Sequence, residues 1–395
     1  MKILFTIYHG LGFGGAEVSA KYLAEGLKER GHDVIFVSHG QYAGFKNYYL
    51  KDFENSPFLF SQQSYVERII KGVIDDEKPD IVHCHDRLTS VGAVKAAHSK
   101  GIPVAVHFRD YWFACPYSTC VAEDGFEYDI CTPKTILSHF PMKRWLWDAY
   151  KLLYLRKSRK IVNSAELKLA LTNAVKMRLD ACNIKGSKII LSLRDFSRFS
   201  DKIKKNQIKK RFHLDRKVIT YVGGLTKIKG ILFIMPVIAE VIEEKGWCFL
   251  IAGDGPLLKE LQNLIDEKGL QERIKIAGKI SFDEMPFVYA DSDIVVAPSL
   301  WEEPLSGVLL EAGACAKPVI ASRKGGNADV IDDGKTGILV PAVDKEAWKK
   351  ALITLIEDEK LRKKIGENAR KNIIQKFNIK SYVMKIEEEY KRLTR

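Results

Sequence analysis

Short apolar, β-branched runs alternate with stretches of helical periodicity from one end of the chain to the other, and this constrains the fold more than any other feature. In the first half the strand-like runs are Lys2–Tyr8, Asp33–Ser38, Asp80–His85, Pro103–Phe108, Lys160–Asn163 and Lys188–Leu193. Helical spacing occupies Ala16–Arg30, Tyr65–Asp75, Leu88–Lys100, Met142–Lys157 and Glu166–Asp180. The second half repeats the scheme, with strands at Lys217–Val222, Cys248–Ala252, Ile274–Ala277, Ile294–Ala297, Val319–Ala321 and Ile338–Val340. Ile231–Glu244, Pro256–Glu267, Gly307–Ala316 and Lys345–Glu357 are its helices. Apolar strands separated by helices are what a parallel sheet covered on both faces requires. The expected fold is α/β: two doubly wound Rossmann-like domains facing each other across a cleft.

A chain of 395 residues can bury two such cores. The polar, lysine-rich stretch RDFSRFSDKIKKNQIKKRFHLDRK marks the boundary. The expected division is 1–195 for an N-terminal Rossmann-like domain, 196–215 for a linker and 216–378 for a C-terminal Rossmann-like domain. Residues 379–395 form a last helix that packs back toward the N-terminal domain. In open α/β sheets a ligand sits beyond the carboxyl ends of the strands, where the strand order reverses.

No run of eighteen apolar residues is present, and MKILFTIYHG reads as a first strand rather than a secretory leader, so a cytoplasmic location is expected. The net charge of +13 calls for an anionic partner. Eight Lys or Arg residues stand between Lys134 and Lys160 against one acid, Asp148, with Trp145, Trp147, Tyr150 and Tyr154 interleaved. Residues 142–160 therefore have the chemistry for peripheral contact with an anionic membrane, at its cytoplasmic face; the alternative is a helix with core aromatics and solvated lysines. No nucleic-acid module surrounds the patch, and no nucleic-acid partner is expected. Of seven cysteines, Cys115, Cys120 and Cys131 fall in one loop without a CxxC pair. A zinc site there would need a fourth ligand such as His139; no metal is expected.

The loop YHGLGFGGAE follows the first strand, and Gly10, Gly12 and Gly15 fit G-x-G-x-x-G. A dinucleotide site would also need an acid at the end of the second strand, where this chain has Ser38–His39. The loop instead reads as one that lets a phosphate or substrate approach the backbone, or as a plain tight turn.

In PSLWEEPLSGVLLEAGACAKPVIAS, Glu303 and Glu311 stand eight residues apart with Pro304 and Gly307 between them. A helix starting between the two would leave Glu303 on a loop and Glu311 one turn inside. The amides of Leu305 to Val308 would then form an anion site at its N-terminus. Carboxylates accept the paired hydrogen bonds of sugar hydroxyls. The set suits a nucleotide diphosphate sugar better than a glycosidase, whose two carboxyls face a single bond.

These residues resemble glycosyltransferase family 4, retaining enzymes of the GT-B fold. The likeness rests on PSLWEEPLSGVLLEAGACAKPVIASRKGGNADVIDDGKTGILV, on YVGGLTKIKG, on IAGDGPL and on the opening GGAE, in family order. It implies that Glu311 binds the nucleotide ribose, Glu303 the transferred sugar and Lys229 the diphosphate. Leu305, Ser306, Gly307 and Val308 would contact phosphate and hexose, with Gly253 in IAGDGPL also on the donor side. Gly14 and Gly15 would admit the donor from the first domain. His107, in GIPVAVHFRDYW, matches the active-site histidine; a strand-end histidine with a structural bond is the other reading. Where the family usually writes G-R-L this chain has Gly223–Gly224–Leu225, so Gly224 replaces a phosphate-binding arginine that Lys227 or Arg194 would have to make good.

The expected reaction moves a sugar, with retention, from a UDP- or GDP-sugar to an acceptor hydroxyl on a glycan or lipid-linked substrate, without a cofactor. His107, Glu303 and Lys229 are the expected catalytic residues. A nucleotide-sugar epimerase or hydrolase of the same fold and a catalytically dead sugar-nucleotide-binding protein are the alternatives.

Overall fold

The computed structural model describes residues 1–11, 15–53, 58–122, 124–191 and 195–394, which form two compact units. Met1–Asp195 and Phe377–Arg395 make the first, Phe196–Lys376 the second.

The first unit is built on seven parallel strands: β1 Lys2–Thr6, β2 Asp33–Ser38, β3 Lys46–Tyr49, β4 Ile81–Cys84, β5 Val104–Phe108, β6 Leu167–Ala170 and β7 Lys188–Ile189. Their order is β3-β2-β1-β4-β5-β6-β7. Its helices are α1 Gly15–Glu29, α2 Leu59–Glu77, α3 Arg87–His98, α4 Pro133–His139, α5 Trp145–Asn163 and Asn173–Ala181. Leu4, Val82 and Val106 are fully buried, as strands covered on both faces must be.

Two readings of the sequence are corrected here. Lys160–Asn163 is the last turn of α5, not a strand, because Leu152, Leu155, Ser158 and Val162 continue one buried helical stripe. The strand is LKLA, Leu167–Ala170, inside what reads as the start of a helix. The polar edge strand β3 was also not expected. Of Lys188–Leu193, only Lys188–Ile189 is strand, and residues 192–194 lie outside the described residues.

The second unit has six parallel strands: β8 Val218–Val222, β9 Cys248–Ala252, β10 Ile274–Gly278, β11 Ile294–Ala297, β12 Val319–Ser322 and β13 Ile338–Val340. Their order is β10-β9-β8-β11-β12-β13. Residues 196–215, expected as a linker, belong to this unit: the Asp291 carboxylate accepts from the amides of Ile208 and Lys209 at 2.7 and 3.0 Å, fixing the helix Gln207–Arg211.

The C-terminal helix Ile379–Leu393 belongs to the first unit and lies on α1. Tyr382, Val383, Ile386 and Tyr390 are buried in its core. Val383 fits because Gly26 presents no side chain: a methyl there would lie 2.5 Å from a Val383 methyl. Glu387, bonded to His32 at 3.1 Å and to Arg30 at 2.6 Å, closes the contact. Lys391, then His32 and Arg30, hold its carboxyl down at about 2. Among the described residues no helix is long and apolar enough to cross a membrane.

Candidate active site

In each sheet the strand order reverses at one place, between β1 and β4 in the first unit and between β8 and β11 in the second. Loops leaving the carboxyl ends of these strands carry the candidate residues, as the geometry of open sheets requires.

In the second unit, Lys229 comes from the loop after β8 and Glu303 from the loop after β11. Lys229 Nζ donates to Glu303 Oε1 at 2.7 Å, and Ser299 Oγ donates to Oε2 at 2.9 Å. Glycines make this meeting feasible. Gly230 is left-handed, at φ 74°, and a methyl on it would lie 1.9 Å from the Pro298 carbonyl oxygen. The Leu300 amide donates to Ile228 O at 2.8 Å, tying the loops together. Behind Glu303, Gly325 has φ 52°, and a methyl there would fall 2.1 Å from the Glu303 carbonyl oxygen, which accepts from the Gly326 amide at 2.8 Å.

The helix Gly307–Ala314 starts between the two glutamates, with Ser306 at its N-cap making no side-chain capping bond. Its first amides have no partner within the helix, as at any helix start. Leu305, Gly307 and Val308 are half-buried around them and Ser306 is buried. Glu311 sits one turn in, nearly buried, and accepts from the Tyr289 hydroxyl at 2.8 Å. Gly253 packs backbone against backbone: a methyl on it would lie 1.9 Å from Gly223 O. Gly224 is the opposite, with open space where a side chain would stand.

In the first unit, His83 on β4, His85 just beyond it and His107 on β5 are all buried. Arg109 Nη2 approaches Nδ1 of His85 at 3.3 Å and Nδ1 of His107 at 3.4 Å. A guanidinium only donates, so both Nδ1 atoms accept and both Nε2 atoms carry the proton. The Tyr390 hydroxyl lies 2.5 Å from His83 Nδ1, and the Tyr382 hydroxyl 3.4 Å from His107 Nδ1. The three Nε2 atoms are buried without a hydrogen-bond partner among the described residues. One ligand atom from each ring would lie within 4.8 Å of the others. With Arg109 donating to two of the rings, the cluster offers N–H groups rather than lone pairs for a metal. Burial first, then Arg109, pushes His83 down to about 3. Burial also holds His85 and His107 well below the usual histidine range.

A pocket of about 510 Å³ opens in this unit, lined by the starts of α1 and α3, by Arg109 and Asp110 after β5, and by Pro116, Tyr117 and Lys151. Gly15 begins α1 beside it; Gly14 and Gly12, like Arg194, lie outside the described residues. Gly10 is needed for packing, since a methyl on it would lie 2.9 Å from Gly40 Cα. His139 bonds Asp124 at 2.8 Å and stacks on Phe126, apart from the buried Cys115, Cys120 and Cys131.

Sequence reasoning missed Ser299, Tyr289, Arg109, Tyr382 and Tyr390. Arg109 alone had a readable signal, a charged residue at the carboxyl end of an apolar strand. The others are brought in by tertiary contact.

Two Rossmann-like units, each with its candidate site at the strand-order reversal, have the architecture of the GT-B fold. The family model for glycosyl transferases group 1 matches residues 202–372, and that for Glycosyltransferase Family 4 matches residues 13–191. Together they span both units, and the chain belongs to glycosyltransferase family 4. The "uncharacterized glycosyltransferase MJ1607" of Methanocaldococcus jannaschii is 26% identical over 92% of this chain and 91% of its own length. The alpha-D-kanosaminyltransferase of Streptomyces kanamyceticus is 35% identical over 41% of this chain and 42% of its own. The structure of Anabaena HepE in complex with UDP covers 99% of this chain and 100% of that one, with a TM-score of 0.76 and 20% identity.

Proposed function

We propose that this glycosyltransferase moves a hexosyl group, with retention, from a UDP-sugar bound to the second unit onto a hydroxyl of an acceptor bound to the first. The observation that carries the reading is the Lys229–Glu303 pair, 2.7 Å apart where the strand order reverses, beside the start of the helix Gly307–Ala314. A diphosphate on the first amides of that helix gains from fixed dipoles and draws the Lys229 ammonium toward it. Glu303, already oriented by Ser299, is then released to accept from the sugar hydroxyls. Glu311, held by Tyr289, accepts from the ribose. Uracil as the base draws support from HepE, a protein of the same fold solved with UDP.

In the chemical step the bond from the anomeric carbon to the phosphate oxygen breaks. The acceptor oxygen bonds to the same face, and its proton passes to the departing phosphate. Charge builds on the diphosphate, where the amides and Lys229 lie; the scheme draws on no metal or other cofactor. His107 positions the sugar rather than attacking it.

The acceptor side belongs at an anionic membrane, on its cytoplasmic face. Met142 and Leu146 are 74% and 90% exposed, with Lys143 next to Met142 in sequence and Arg156 and Lys157 exposed further along the helix of Leu146. Binding to phosphatidylglycerol vesicles but not to phosphatidylcholine vesicles, weakened by Leu146→Glu, tests this part.

A thermal-shift series with UDP, GDP and ADP tests the donor reading, since a ligand that binds only the folded protein raises its melting temperature. UDP should give the largest rise; no rise with any of the three contradicts the reading.

A further inference from the structure

The pocket of the first unit holds cations that the donor chemistry does not use. Arg87, the first residue of α3, donates through Nη1 to the Pro116 carbonyl at 3.2 Å. Lys151, on α5, reaches only the Tyr117 hydroxyl at 3.4 Å and the faces of Tyr117 and Trp147. Both line the pocket, and neither has a carboxylate within ion-pair distance among the described residues. Glu17, Asp86 and Asp110 also line the pocket, and the last two are engaged by backbone amides. Asp86 caps α3, accepting from the Thr89 amide at 2.8 Å, and Asp110 accepts from the Trp112 amide at 2.7 Å. Asp148 Oδ1 accepts from the Tyr117 hydroxyl, while Oδ2 has no hydrogen-bond partner among the described residues and lies 3.7 Å from Arg144 Nε.

Burial first depresses the Lys151 ammonium below its usual range; Asp148 opposes the shift, and Arg144 and Arg87 add to it. The twelve-residue helix α3 starts at the pocket, where the Asp86 carboxylate caps its first turn. One further feature favours an anion. His85, 1% exposed, lines the same pocket with its Nε2 unpartnered.

We infer that the pocket takes a phosphorylated acceptor, its phosphate or pyrophosphate seated between Arg87 and Lys151. Arg87 supplies a planar fork of donors and Lys151 a point charge, a pairing suited to a tetrahedral oxyanion. The inference deepens the proposed function and rests on the first unit being the acceptor side. The phosphate belongs either to a soluble sugar phosphate or to a lipid carrier.

The test is calorimetric titration of the whole chain with inorganic pyrophosphate, then with farnesyl pyrophosphate, while saturating UDP occupies the second unit. The wild type should bind pyrophosphate with UDP present. The double variant Arg87→Gln, Lys151→Gln should bind it at least about tenfold more weakly, as expected for losing charge-assisted bonds. Lys151→Arg should retain binding, and UDP affinity should be unchanged in all three. Tighter binding of the farnesyl compound, lost in the double variant, identifies a lipid carrier; equal binding of both compounds identifies a soluble phosphate. Equal pyrophosphate affinity in wild type and double variant, or displacement of all pyrophosphate by UDP, overturns the inference. If the wild type does not bind UDP, it is the donor reading that fails, and the same titration without UDP still decides between the two proteins.

Discussion

The two units share one architectural idea and realise it with different materials. Each puts its candidate site where the strand order of a parallel sheet reverses. The second unit holds its site through backbone contact: Gly230, Gly253 and Gly325 let loops approach so closely that a methyl group at any of them would clash. The first holds its site through side chains, with buried histidines fixed by Arg109 and by two tyrosines of the C-terminal helix. A backbone-built site accepts few substitutions without moving loops. A side-chain-built pocket can change ligand while the fold stays as it is.

The largest effect expected from breaking this contrast is on turnover. Lys229→Ala should lower kcat by about a hundredfold to a thousandfold, the range for losing one group that stabilises developing charge. Pyrophosphate binding in the first unit should not change. A kcat within a factor of two of wild type would remove Lys229 from the mechanism.

Next come the glycines. Gly253→Ala should destabilise the second unit by about 1–3 kcal/mol, the range for overpacking, because the added methyl meets Gly223 O. Gly224→Ala, nearby but facing open space, should stay within about 0.5 kcal/mol of wild type. Denaturant melts of both variants check the difference, and equal effects would show that close approach does not govern this loop.

A smaller effect separates the units by pH. His83 is held neutral in the folded chain, at about 3, while an unfolded histidine takes up a proton near pH ~6.5. Its contribution to stability is therefore complete above about pH 6.5 and is lost as pH falls from there toward 3. Asp110, pushed up to about 6 by burial, works in the opposite direction, but equally in wild type and variant. The stability gap between wild type and His83→Gln should thus close by about 1 kcal/mol per pH unit below 6.5, read from melts at several pH values. A constant gap would show that His83 protonates as easily folded as unfolded.

The smallest effect expected is that of Tyr390→Phe, about 1 kcal/mol for the lost bond to His83 Nδ1, measured by denaturant melts. No change would show that the bond from Tyr390 to His83 adds nothing to the hold of the C-terminal helix.

The sheets and the meeting of Lys229 with Glu303 differ in how far the sequence makes them legible. Both sheets show as apolar runs; Glu303 and Glu311 stand out by their spacing around Pro304 and Gly307, and Lys229 only through the resemblance to glycosyltransferase family 4. The failures have physical causes. Leu167–Ala170 is a four-residue strand directly after a helix whose last turn is itself β-branched, and local pattern does not separate the two. The polar KNYY of β3 carries no alternation to read. Tyr390 meets His83 across 307 residues of sequence and Tyr382 meets His107 across 275, distances over which no local motif can speak.

The most direct measurement is calorimetric titration of UDP into the wild type and into Lys229→Ala. If the diphosphate is held at the strand-order reversal of the second unit, the variant should bind UDP at least about tenfold more weakly, as for the loss of a charge-assisted bond. Equal affinity in the two proteins would contradict the account.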